Sequence, residues 1–460
     1  MNASLPGESS FVASSLNPSF GESARHRSGG GNSGRRFFQV AAALLTLTTW
    51  LYGQSEPGQL MSFQNFIANA YAAGPTDYMW RADSRVRDAA SFEDMRQHIL
   101  GLYGGVTVNH SFLLGGHAFD CVPIEQQASF RRYGRGQIAS PPPTIPRRQQ
   151  DRSEDAPIPA SQVAAGAVDS FGNSTRCEAE TIPMRRVTLE DMTRFATLRD
   201  FFAKYHGSAV DASSPDGAHS NGDVHHYAFT QQKVNNLGGH SDLNLWKPYV
   251  NLGKGDALSL SQHWYAGGSP NQTAEVGWQN QPAYWGTEDS VLFIYWTADN
   301  YQSTGCYNLE CDGFVQVAGD WYFGSNFDNY SKVGGAQYYF EAEFYLYEGN
   351  WWLGLGGEWV GYYPVSIYGG GQMAHHATVV QYGGEVAGSG HWPPMGSGKW
   401  PKKGYKYAAY QDQVWYHDTS GSDIWANLTL EQPDPKCYKD AGLEYDPTQF
   451  YFGGPGGGGC

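Results

Sequence analysis

The sequence predicts a mainly β protein: an antiparallel two-sheet β-sandwich over residues 221–460, preceded by a smaller α+β part. Three observations predict it. The chain is 15% aromatic and holds 58 Gly against only 16% charged residues, which suits short strands joined by tight turns. After residue 220 the apolar pattern takes period two with Gly punctuation. The two parts also differ in kind: residues 1–220 hold 20 Lys+Arg and 21 Asp+Glu, whereas residues 221–460 hold 10 Lys, no Arg and 24 Asp+Glu. The polar, Gly/Ser-rich stretch His206–Gly222 marks the boundary between them.

Arg35-Arg36 precede an apolar run, Phe37–Tyr52, closed by Gly53-Gln54-Ser55; this predicts a signal region over 1–55 and a secreted protein. A signal anchor is the alternative, because the n-region is long. Asn109, Asn173, Asn271, Asn329 and Asn427 head Asn-x-Ser/Thr triplets, compatible with export. Six Cys in an exported chain read as three disulfides, and the simplest pairing that crosses no boundary is Cys121–Cys177, Cys306–Cys311 and Cys437–Cys460. The C-x4-C spacing of Cys306 and Cys311 lacks the paired pattern of zinc domains, so no metal is expected. A net charge of −15 argues against a nucleic-acid partner.

Residues 56–220 begin with a predicted helix at Phe92–Leu102 and end with another at Thr188–Tyr205, where Thr188 can cap and Leu189, Met192, Phe195, Leu198 and Phe202 share a face. Between them, 137–160 is a Pro-rich, basic insertion containing Pro141-Pro142-Pro143 and Arg147-Arg148. Predicted strands follow at Val224–Val234, Asp242–Val250, Leu258–Ala266, Thr273–Gln279, Val291–Thr297, Gly313–Ala318, Gln337–Tyr347, Trp351–Leu355, Trp359–Pro364, Ala377–Tyr382, Ala408–His417 and Trp425–Leu430.

Serine and cysteine catalysis find no support, since Gly388-Ser389-Gly390 and Gly396-Ser397-Gly398 lack the G-x-S-x-G spacing and the Cys are used in disulfides. His225-His226 and His375-His376 place their members on opposite strand faces and read as surface or packing residues. Carboxylates remain. Glu275 shares a strand face with Gly277 and Gln279, over a glycine gap with room for substrate backbone, and Glu385 follows Gly383-Gly384. Taken singly, either could be a solvated strand glutamate.

The stretch Glu275–Val317 carries E-x-GW at its start, F-x-YWT-x-D-x-Y at its centre and GCYN…C-x-GFVQ at its end. With Gly349-Asn350-Trp351-Trp352-Leu353, Gly361-Tyr362-Tyr363-Pro364, Gly383-Gly384-Glu385-Val386 and Met395-Gly396-Ser397-Gly398, it resembles the neprosin family. The segment from Cys121 to Phe130, and Cys177 with Thr181–Arg186, look like that family's N-terminal activation region. The resemblance implies a β-sandwich glutamic peptidase acting in acid, cutting after proline and made with its own inhibitory propeptide. It implies Glu275 and Glu385 as the catalytic pair, with no cofactor, and agrees with the disulfide pairing above. On this reading 56–220 is the activation propeptide, 221–460 the catalytic domain, and the protein a monomer whose partners are peptide or protein substrates. Gln279, Tyr295 and Trp296 are candidate substrate-lining groups. Two alternatives stand beside it: a β-sandwich glycosidase, for which Glu341-Ala-Glu343 offers paired carboxylates, and a catalytically silent carbohydrate-binding module.

Overall fold

Apolar residues at helical spacing build the N-terminal part. The computed structural model describes residues 60–134, 136–144, 158–163, 166–204, 223–443 and 446–460. The signal region 1–55, residues 145–157 of the Pro-rich insertion and the His206–Gly222 linker lie outside the described residues. Ser62 caps α1 (Phe63–Ala72) and Asp88 caps α2 (Ala89–Tyr103), each accepting a hydrogen bond from the backbone three residues on. Phe92, Met95, Ile99 and Leu102 form the buried face of α2. Ser111–Leu114 (β1), His117–Pro123 (β2) and Thr181–Arg185 (β4) make a three-stranded antiparallel sheet, with α3 (Ala128–Tyr133) following β2.

The single helix expected over Thr188–Tyr205 is two short ones, α4 (Leu189–Thr193) and α5 (Leu198–Phe202). Thr188 caps the first as expected, but Thr197 caps a second by accepting from Asp200 N at 3.1 Å. A Thr side chain that captures a nearby N–H offers the backbone an alternative to continuing the helix.

After residue 223 two antiparallel sheets face each other, and the protein is mainly β. The smaller sheet runs, in spatial order, Thr429–Glu431 (β17), Val224–Asn236 (β5), Ala377–Gly388 (β14), Asp256–Gly267 (β7), Gln272–Asn280 (β8) and Val291–Thr297 (β9). The larger runs Val315–Gln316 (β10), Glu358–Pro364 (β13), Asn350–Leu355 (β12), Tyr338–Tyr347 (β11), Gly238–Asn244 (β6), Ala409–His417 (β15), Asp446–Gly453 (β19) and Lys439–Leu443 (β18). Ile158–Pro159 (β3) adds to β11, and Asp423–Trp425 (β16) to β15. The strand expected over Trp425–Leu430 divides between the sheets as β16 and β17, and the hairpin β18–β19 was not expected at all.

Tyr265 of β7 packs against Phe344 and Trp351 of the larger sheet at 5.9 and 6.3 Å between ring centroids, while Tyr382 OH donates to Trp415 O. One apolar core continues from Phe63 in α1 to Phe452 in β19, so both sides of the expected boundary pack into one unit, Tyr52–Cys460. The disulfides are Cys121–Cys177, Cys306–Cys311 and Cys437–Cys460. Among the described residues no helix is long and apolar enough to cross a membrane.

One buried imidazole ties the larger sheet's outer strand. His417 Nε2 lies 3.0 Å from Glu343 Oε1, its Nδ1 3.0 Å from Asp423 Oδ1, and its ring stacks on Tyr345 at 4.0 Å. Burial pulls its pKa down, but Asp423 and Glu343 outweigh burial and hold it above the ordinary imidazole range. A raised folded pKa stabilises fully below the unfolded value, about 6.5, and that stability is lost as pH rises through the folded pKa. His417→Gln should therefore cost about 3 kcal/mol near pH 5.5 and less near pH 8, read by denaturant unfolding. A wild-type-minus-variant difference that ignores pH would contradict this.

Candidate active site

Strand alternation puts Glu275 of β8 and Glu385 of β14 on the same face of the smaller sheet, with β7 between them. Glu275 is paired with Trp264 and Glu385 with Leu260, so Gln262 stands midway between them and on their side. Gly277 and Gly383 flank Gln262 in register. The gap for substrate expected at Gly277 is not there: a Cβ at Gly277 would lie 2.1 Å from Ser261 O, and one at Gly383 would lie 2.5 Å from Ala228 O. These glycines admit a neighbouring strand's backbone rather than opening a gap for substrate. A Cβ at Gly384 would meet Met395 and Phe452 in the core at 2.7 Å.

Both carboxyls are fully buried. Each turns one oxygen back into the protein and one forward. The back oxygen of Glu275, Oε1, accepts from Thr273 Oγ1 and Tyr301 OH, both at 2.7 Å. That of Glu385, also Oε1, meets His225 Nδ1 at 2.7 Å and Tyr227 OH at 3.3 Å. The forward oxygens converge on one cation, the Lys204 ammonium: it bonds Glu275 Oε2, lies 3.7 Å from Glu385 Oε2 and donates to Gln262 Oε1 at 2.8 Å. Gln262 Nε2 approaches Glu385 Oε2 at 3.5 Å. Lys204, 1% exposed, comes from the N-terminal part, just past α5.

Several contacts hold that segment. Tyr295 OH donates to Phe202 O at 3.1 Å and accepts from Lys204 N at 3.2 Å. Arg199 reaches Tyr301 O, and Phe201 stacks on Tyr284. Burial works to raise the Glu385 pKa, yet Lys204, His225 and Tyr227 outweigh it and hold the carboxyl below its ordinary range.

Of the candidate lining residues, Tyr295 lies at this site. Gln279 does not line it: Trp285 Nε1 donates to its oxygen and its amide donates to Tyr307 OH, fixing it among aromatic rings. Trp296 is corrected outright, since alternation along β9 turns it to the opposite face, against Gly313 and Tyr368. Lys204, Gln262, Thr273, Tyr301, His225 and Tyr227 were not anticipated. The His225-His226 pair does divide between faces, but both are buried, His226 against Asp434 at 3.0 Å. Glu341 and Glu343 share one face of β11, on the side of the larger sheet away from Phe344 and the inter-sheet core. His110, Cys121 and Glu178 come together elsewhere, where the thiolate a metal would need is consumed by the disulfide.

Lys204 brings one positive charge into contact with both buried carboxyls. Lys204→Met should destabilise the intact chain by about 3–5 kcal/mol near pH 7. The loss should shrink near pH 4, where an unpaired buried carboxyl takes up a proton. Equal unfolding midpoints for wild type and variant at neutral pH would contradict the arrangement.

The Neprosin family model matches residues 255–455, which include both glutamates but neither Lys204 nor His225. Among solved structures, a scytalido-glutamic peptidase bound to a transition state analog inhibitor aligns at 7% identity and a TM-score of 0.28, covering 49% of this chain and 97% of that one. A likeness so slight carries no argument about chemistry here. Residues 255–455 of the chain are thus a neprosin-family domain.

Proposed function

We propose that this chain is the latent form of a secreted, acid-acting glutamic endopeptidase, with Glu275 and Glu385 as the pair that activates water and a preference for cutting after proline. The observation that carries the reading is the convergence of two fully buried carboxyl oxygens on one removable cation. Once Lys204 withdraws, two carboxyls in a shared buried site hold one proton between them. The ionised one takes a proton from water as the water oxygen attacks the scissile carbonyl. The protonated one donates to the carbonyl oxygen, and Gln262 Nε2 offers a further donor on the same face. Collapse of the tetrahedral intermediate breaks the C–N bond as the departing nitrogen takes a proton. Peptide and water become acid and amine, with no cofactor.

The contacts between the N-terminal part and the rest support latency. Arg176 pairs with Asp320 at 2.7 Å, Arg132 with Asp312, and Arg185 with Glu310 at 2.6 Å in a buried contact. Each places a basic residue before Lys204 against an acid after residue 223. Burial raises the Glu310 pKa against the pull of Arg185, so on acidification this carboxylate is neutralised early, leaving Arg185 with Asp191 at 3.9 Å. Acid thus weakens the clamp. Cutting within His206–Gly222, which contains Pro215, would free the segment that carries Lys204.

The test is acid digestion of a denatured protein, with mass spectrometry of the new C-termini. Glu275→Gln and Glu385→Gln should each lower kcat/KM by at least about 10³-fold without loss of fold. Wild-type products should end in proline. Near wild-type turnover by either variant would reject the pair, and termini without proline enrichment would leave only the general peptidase reading.

A further inference from the structure

The two carboxyls are not held alike. Behind Glu275, among the described residues, stand hydroxyl donors, Thr273 Oγ1 and Tyr301 OH. Behind Glu385 stands an imidazole, His225 Nδ1, 2.7 Å from the back oxygen, with Tyr227 OH at 3.3 Å on the same atom. His225 is 3% exposed, lies near the start of β5, and stacks on the Tyr227 ring at 6.4 Å.

We propose that His225 is a positioning residue for the hydrolysis: it holds Glu385 as the carboxylate, which makes Glu385 the general base and Glu275 the protonated partner. The inference rests on the peptidase reading above. In acid an imidazole carries charge, and a charge 2.7 Å away in a buried site decides which of two coupled carboxyls keeps the shared proton. Lys204 contacts both carboxyls through their forward oxygens and leaves with the N-terminal segment. Among the described residues, His225 is then the cation that still faces Glu385. It remains with the catalytic part whichever bond of His206–Gly222 is cut.

The charged and titratable groups around the pair agree with this. On β14 His225 faces Glu385 itself. At the foot of its own strand stands half-buried Asp223, whose carboxyl is raised by burial and drawn down by His225. Tyr227 shares its strand, and Lys204 lies on the far side of Glu385. Burial would protonate Glu385, and the opposing influences that survive loss of Lys204 are those of His225 and Tyr227, of which the imidazole alone carries charge.

The proton path follows. Glu385 Oε2 takes a proton from water as the water oxygen bonds the carbonyl carbon, while Glu275 gives its proton to the carbonyl oxygen. As the C–N bond breaks, Glu385 passes its proton to the nitrogen, and a hydroxyl of the intermediate returns one to Glu275. The pair ends as it began, and Glu385 must be ionised for the first step.

The experiment compares kcat and KM against pH for the acid-processed wild type, His225→Gln and Tyr227→Phe. Glutamine can still donate a hydrogen bond but carries no charge. In His225→Gln the acid limb of kcat/KM should move to higher pH by about one unit, with kcat at the optimum down about tenfold and KM within about twofold. Tyr227→Phe should move it less. Superimposable wild-type and His225→Gln profiles would overturn the proposal. Should His225→Gln fail to fold, histidine-selective NMR of the intact chain decides: Glu385→Gln should shift the His225 ring resonances, because the oxygen 2.7 Å from Nδ1 then belongs to an uncharged amide. Unchanged resonances overturn the coupling between His225 and Glu385 alone. Absence of hydrolysis by the wild type removes the peptidase reading, and the base role with it.

Discussion

Two carboxylates fully buried on the face of the smaller sheet turned away from the larger one cannot stand there without compensation, and the arrangement around Glu275 and Glu385 follows from that constraint. Removing an ion from water costs several kcal/mol even after relaxation. Here donors sit behind each group, and the one ammonium between them comes from outside the sandwich, on the Lys204 segment. The same contact makes the buried pair tolerable in the intact chain and, on the proposed reading, keeps it latent.

The sheet supplies the precision. Three adjacent strands, β14, β7 and β8, present Glu385, Gln262 and Glu275 from one face in fixed register, which holds the groups better than loops would. Gly277 lets β8 close on Gln262, and Gly383 lets β14 close on Ala228 and Phe229 of β5. The side chains that reach the back oxygens come from the same sheet, His225 and Tyr227 from β5 and Thr273 from β8, with Tyr301 just beyond β9.

Much of this was legible in the sequence because runs of strand length, rich in apolar and aromatic residues, stand between turn residues. Val291–Thr297 is a strand over the expected residues, and Leu258–Ala266 and Thr273–Gln279 fall within one or two residues of β7 and β8. The hairpin Lys439–Leu443 with Asp446–Gly453 escaped notice, its pattern interrupted by Gly442 and Pro447. The helix at Thr188–Tyr205 was overextended because its apolar spacing continues through Thr197, where a side-chain cap restarts the helix. At the site, residue type and neighbouring glycines pointed to Glu275 and Glu385 without choosing them; the family resemblance chose. Lys204 could not be found that way, since one lysine after a helix looks like any other until the chain folds back. His225 gave a signal, as one of two adjacent histidines on a strand, but its face is set by the register with β14.

The central claim is that the Lys204 amine lies between the two glutamates in the intact chain. Its chemical accessibility tests that most directly. The untreated chain would be pulsed at neutral pH with an amine-acylating reagent, and each lysine followed by mass spectrometry, before and after exposure to acid. The account predicts that Lys204 reacts at least about 100-fold more slowly than exposed Lys402 and Lys403 in the untreated chain, and at a comparable rate once acid has released it. Acylation of Lys204 alongside Lys402 in the untreated chain would contradict it.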